Sequence, residues 1–117
     1  MSAYKFGDIV LVGLGDEPDP DNHLMARPAL IVSADAINEH LQTLIVCPLI
    51  EAKQVTQSRT GATFIPREVA GLKEHNLVLS LHIKTIPEKR ILKRISSLPS
   101  SYLLQVKESI QAVLDLE

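Results

Sequence analysis

Arg27 stands directly before Pro28 at the mouth of an apolar run, ARPALIVS. An arginine side chain is a planar fork that never loses its charge and meets two phosphate oxygens at once. A following proline fixes the local backbone and disfavours helix at Arg27, so the fork leaves an extended segment. Such an arginine either answers an acid of the preceding loop, DEPDPD at 16–21, or is aimed at an anion. Further along, Ser80, His82 and Lys84 alternate with Leu77, Leu79, Leu81 and Ile83 in LVLSLHIKTI. Histidine changes protonation near neutral pH and serves as acid or base. His23 lies in the loop leading to Arg27, within reach of the same site. His40, on a short helical turn, and His75, in the turn KEHN, are expected to be solvated.

Other chemistries are excluded. Cys47 is the only cysteine, so an internal disulfide or a cysteine-rich zinc site cannot form. Its place in LIVCPLI marks it as a buried, inert thiol. The alternating acids of DPDPDN lack the glycine and distal glutamate of an EF-hand loop, and read as a solvated acidic loop. There is no Walker loop, GxGxxG, HExxH or paired CxxC. No cofactor or metal is expected.

The chain has 117 residues, 45% hydrophobic and 22% charged, which suits one domain over 1–117 with a core that needs no staples. With two Tyr, two Phe and no Trp, that core is aliphatic, and base-stacking platforms are unavailable. The net charge of −2 argues against bulk electrostatic binding to nucleic acid. The charge is uneven, however: KTIPEKRILKR at 84–94 carries five Lys/Arg against one Glu. Such a run is commonly a solvated face, but here it follows the strand bearing His82. The N-terminus has no signal-peptide core and no apolar stretch approaches about 18 residues, so a soluble, cytoplasmic protein with no membrane partner is expected.

The elements follow from hydrophobic period. Ile9–Leu14 reads as a strand, 15–26 as a loop, and Ala29–Ser33 as a second strand buried on both faces. Asp35–Leu41 reads as one helical turn. Thr43–Leu49 is a third strand, with Pro48 near its end, where a missing donor costs least. Residues 51–61 are a long polar loop, Thr63–Ile65 a short strand, and 71–76 a turn. Leu77–Ile86 alternates as one half-buried strand. Leu103, Val106, Ile110, Val113 and Leu114 recur at helical spacing, after a start at Pro99 with Ser100 and Ser101 as caps. Five or six short strands and then a helix, without βαβ alternation, predict a small antiparallel barrel.

FGDIVLV, RPALIVS, LIVCPL and GLKEHNLVLSLHIKTI, followed by KRI and an amphipathic helix, occur in that order along nearly the whole chain. In this the sequence resembles the MazF/PemK toxins of bacterial toxin–antitoxin systems. The resemblance implies a mainly β fold with a C-terminal α-helix: a small SH3-like antiparallel β-barrel of the MazF/Kid/CcdB type. It implies a homodimer, a cognate antitoxin that folds onto the toxin, and metal-independent cleavage of single-stranded RNA at short sequences. The family's catalytic arginine precedes proline at the head of the second strand, which is Arg27 here. Metal-free cleavage uses the 2′-hydroxyl as nucleophile, with groups to move protons and a cation for the phosphoryl charge. His82 and His23 are the expected proton carriers beside Arg27.

The chain departs from the pattern at three places. The usual Thr or Ser after the third strand falls at Ile50, which cannot hydrogen-bond; Thr56, Ser58 or Thr60 of the next loop would have to replace it, with Arg59 beside them. An acid, a glutamine and an Arg-Thr pair are replaced by Leu81, His82, Lys84 and Thr85, and lysine keeps the charge but not the fork. The acids of DEPDPD would repel an RNA backbone. Lys84, Thr85, Thr56, Ser58 and Arg59 are the expected substrate-binding residues. The alternative is a toxin-like binding module with little or no nuclease activity, engaging an antitoxin or another protein such as gyrase.

Overall fold

The computed structural model describes residues 3–13 and 26–116. The strands are β1 (Asp8–Gly13), β2 (Ala26–Ile31), β3 (Thr43–Ala52), β4 (Ala62–Ile65), β5 (His75–Leu79), β6 (Lys84–Pro87) and β7 (Ile91–Ser97). The helices are α1 (Asp35–His40), α2 (Arg67–Ala70) and α3 (Ser100–Val113), with 3-10 turns at Ser80–His82 and Glu88–Arg90. Leu14, His23 and the DEPDPD loop lie outside the described residues.

All pairings are antiparallel, in the order β4-β5-β3-β2-β1-β7, with β6 also on β3. The mainly β architecture with a C-terminal helix is as expected. The expected barrel closure is not found: β4 and β7 end the path and do not pair with each other. Instead α3 packs on β4 and on the 3-10 turn at Ser80–His82.

β1, β2 and β3 are continuously apolar because both their faces are covered. One face sends Ile9, Leu30, Cys47 and Leu49 into a core shared with Ile65, Val78, Leu98 and Val106 of α3. The other sends Val10, Val12, Ala29, Ile31 and Val46 against Ile86 and Ile91. Val106 is the buried residue of the helical stripe; Leu103, Ile110 and Val113 are half-buried and Leu114 is exposed. Lys107 lies over the Phe6 ring at 4.9 Å and ties the helix to the start of the chain.

Cys47 is fully buried, as its apolar run implied. Burial pushes its thiol up to about 12. Below the ordinary thiol range near pH 8.5 it is protonated folded or unfolded. Above that range the unfolded chain loses the proton and the folded one keeps it. Stability should therefore fall as pH rises from about 8.5 toward 12, by up to about 1.4 kcal/mol per pH unit from this one group. Urea melts of the protein and of Cys47→Ala should show that alkaline slope in the first only.

The structure corrects several local expectations. Leu77–Ile86 is not one strand. It is β5, a 3-10 turn and β6, and the simple alternation fails: Ser80 is buried while Leu81 is 65% exposed. β5 pairs with Leu49–Ala52 and β6 with Thr43–Val46 of the same strand β3. From Val78, opposite Leu49, to Lys84, opposite Val46, five residues intervene where β3 has two. The surplus of three is the turn Ser80–His82. β3 is also longer than expected and places Pro48 mid-strand. Pro48 falls in the gap between the β5 and β6 ladders, where no partner on that side needs an N–H. Ser100 and Ser101 do not cap α3; they are its first helical residues, and Pro99 holds the cap position without a side-chain bond. His75 is not simply solvated. Its Nδ1 accepts the Arg67 N–H at 3.0 Å, and its ring lies 5.4 Å from Phe64.

Two buried polar groups pin the framework. Asn38 accepts from the Ser33 hydroxyl and returns its Nδ2–H to the Ser33 carbonyl, which docks α1 on the end of β2. Asp8 accepts from the Lys5 N–H, the Ser97 hydroxyl and Arg94 Nε, which joins β1 to β7.

Candidate functional site

β2 and β3 pair through Ile31–Val46, Leu30–Cys47 and Ala29–Pro48, and then part. Beyond Pro48, β3 continues with β5, while Pro28, Arg27 and Ala26 keep their β1 partners Leu11, Val12 and Gly13. A cleft of about 630 Å³ is lined by these parted strand ends, by Leu72, Lys73 and Glu74 of the turn before β5 and by Asn76 of β5. That volume falls in the range of about 300–1,000 Å³ usual for small-molecule sites.

The apolar lining includes Leu11, Pro28, Leu49, Ile50, Leu72 and Ile95. The polar lining is Arg27, Glu51, Lys73, Glu74 and Asn76. Arg27 is exposed, and its bond among the described residues is local, Nη1 to the Ala26 carbonyl at 3.1 Å. Glu51 sits opposite Asn76 in the β3–β5 ladder. Asn76 is 2% exposed and gives its Nδ2–H to the Glu74 carbonyl at 2.8 Å. Its Oδ1 is buried and finds no partner among the described residues. A buried acceptor of this kind calls for an explanation. The set offers a fork for an anion, carboxylates that can take protons, and an apolar wall for a ring.

The sequence-predicted residues divide. Arg27 and Ile50 both line the cleft, and Ile50 is 47% exposed there. His82 is exposed on its 3-10 turn and is not part of the lining. Lys84 and Thr85 are exposed on β6, opposite Val46 and Ile45, away from the parted strand ends. Thr56, Ser58 and Arg59 are exposed in the loop before β4. There the Ser58 hydroxyl accepts the Phe64 N–H, and Arg59 bridges to Ala62. The basic run 84–94 is divided among β6, a 3-10 turn and β7, which pair with different strands. His23 lies outside the described residues.

Glu51, Lys73, Glu74 and Asn76 were not singled out as site residues. Glu51 directly follows Ile50, and the other three stand in the 71–76 segment expected only to be a turn; the one signal, for Glu51, Lys73 and Glu74, was charge beside the strand ends. Among the described residues, no group of three or more His, Cys, Asp or Glu could hold a metal ion.

A family model described as "PemK-like, MazF-like toxin of type II toxin-antitoxin system" matches residues 5–114. None of the curated proteins matches the chain. The fold is similar to the Mycobacterium tuberculosis toxin MazF-mt6, with TM-score 0.73 and 24% identity over 94% of this chain and 98% of that one. It is similar to an endoribonuclease in complex with its cognate antitoxin from a Mycobacterial species, with TM-score 0.75 and 17% identity over 98% of each chain. It is also similar to the MazE-MazF structure (Form-II) from Deinococcus radiodurans, with TM-score 0.72 and 18% identity over 97% of each chain. At these identities the structural likeness is one of fold.

Proposed function

Because the chain belongs to the PemK-like, MazF-like toxins of type II toxin–antitoxin systems, we propose that it cuts single-stranded RNA without a metal, under the control of a cognate antitoxin. The observation that carries this reading is Arg27, set before Pro28 on the lip of a cleft of nucleotide size whose lining also includes Glu51 and Glu74. The guanidinium is assigned to the phosphoryl oxygens, whose negative charge grows as the 2′-oxygen attacks. Catalysis here does not depend on a hydroxyl at position 50. Ile50 instead adds apolar surface to the cleft.

One structure of this fold is an endoribonuclease held by its cognate antitoxin, which supports an antitoxin as the partner. A symmetric homodimer is part of the same proposal, and so is a cytoplasmic location, where single-stranded RNA would be met. No helix among the described residues is long and apolar enough to cross a membrane.

Purified protein should cut a long single-stranded RNA at discrete positions in EDTA. Uncut RNA from folded protein would overturn the nuclease reading and leave a binding module. Light scattering at micromolar concentration should give twice the chain mass of 12.9 kDa; a species of 12.9 kDa alone would remove the dimer.

A further inference from the structure

We propose that Glu51 is the general base of this cleft: its carboxylate takes the 2′-hydroxyl proton of a ribose whose 3′-phosphate is held by Arg27. The inference rests on the ribonuclease reading and names a residue for its proton transfer.

The cleft itself narrows the choice. Of its polar side chains, Arg27 stays charged, Lys73 carries donors and Asn76 does not ionise. Glu51 and Glu74 are the lining residues that hold proton acceptors. Glu51 stands in a regular strand, in register with Asn76, whereas Glu74 sits in the turn before β5. A strand fixes a side chain better than a turn does, and a proton acceptor must be held to hydrogen-bond reach. Directly opposed strand residues have Cβ atoms about 4.5–5.5 Å apart, so the Glu51 carboxylate and the Asn76 amide are neighbours. The unpartnered Asn76 Oδ1 marks this corner as short of a donor. His82, the expected proton carrier, is not in the lining.

The step balances without a metal. The 2′-oxygen forms a bond to phosphorus as the bond from phosphorus to the 5′-oxygen breaks. Glu51 takes the 2′-proton and passes it to water, and the leaving 5′-oxygen takes a proton from water. The products are a 2′,3′-cyclic phosphate and a 5′-hydroxyl.

A carboxylate beside an anionic backbone weakens ground-state binding, so a base and a binding residue give opposite signatures on replacement. The probes are an RNA oligonucleotide spanning one cut site of the wild-type protein and its all-2′-deoxy form, which cannot react. With Glu51→Gln, cleavage of the RNA should fall by roughly 10²–10⁴-fold. Any fall in rate that the wild type shows toward acid pH should be absent from the variant. The deoxy oligonucleotide should bind as tightly as to wild type or tighter, which also shows that the variant is folded. Cleavage within about threefold of wild type with an unchanged pH profile would overturn the role of Glu51 and leave the nuclease reading standing. Lost deoxy binding in parallel with lost cleavage would make Glu51 a binding residue and overturn the inference. A wild-type protein that cuts no RNA removes the nuclease reading and this inference with it.

Discussion

Arg27→Ala should lower RNA cleavage by roughly 10²–10³-fold, the usual loss when one preorganised donor to a developing oxyanion is removed. The side chain is exposed, and its bond among the described residues reaches only the neighbouring Ala26 carbonyl. Its loss should therefore shift unfolding by no more than about 0.5 kcal/mol, as for surface substitutions away from special features. Arg27→Lys keeps the charge and loses the bidentate fork, so its rate should fall between wild type and Arg27→Ala. Arg27→Ala should also weaken the uncleavable deoxy oligonucleotide, because a cation on the phosphate contributes before the reaction as well as during it. That is the opposite of the binding result expected for Glu51→Gln. Single-turnover cleavage with excess enzyme measures the chemical step free of product release. A rate within about threefold of wild type would withdraw Arg27 from the phosphate.

Leu30→Ala should cost about 3–5 kcal/mol of stability, the range for deleting a leucine side chain where the site collapses little. Leu30 is fully buried, paired with Ile9 on one side and Cys47 on the other. It belongs to the core that Val106 of α3 closes. Strands on both flanks and a helix over the face leave little room for collapse. Small domains hold only about 5–15 kcal/mol in total, so much of the margin would go. Urea denaturation followed by far-UV circular dichroism reads the loss. A cost below about 1 kcal/mol would mean that the strands close over the cavity. The same leucine anchors the strand whose first residues include Arg27, so cleavage at 37 °C should fall as the folded fraction falls. At a temperature where the variant remains folded, activity should be near normal.

Local pattern was enough for part of this protein. The unbroken apolar run at Ala29–Ser33 announced a strand covered on both faces, and two separate cores lie against β2. The helical stripe through Val106, the turn that became α1, and the inert Cys47 were legible for the same reason. Burial on a helix face or a strand face is written in the period of the residues themselves. The order of motifs likewise identified the family that residues 5–114 match.

Strand pairing was not legible, because partners are chosen by contacts far apart in sequence. Leu77–Ile86 alternates like one strand, yet its halves bind different stretches of β3, and the three surplus residues become a turn that buries Ser80 and exposes Leu81. No local rule requires that break; the register on β3 does. The open ends of the sheet have the same origin, since closure depends on whether β4 meets β7. The cleft is the clearest case. Its own chemistry and its proline left Arg27 between a loop acid and an anion, and the family resemblance is what pointed it at a phosphate. Its companions Glu51, Lys73, Glu74 and Asn76 come from β3 and from the 72–76 segment, and they gather because β3 leaves β2 after Pro48 to join β5. Sequence by itself determined which residues are apolar, which strands are buried and which arginine is poised before proline. Only the tertiary structure decided which carboxylates and amide share a cleft with that arginine, because such proximity is set by register between strands and not by spacing along one of them.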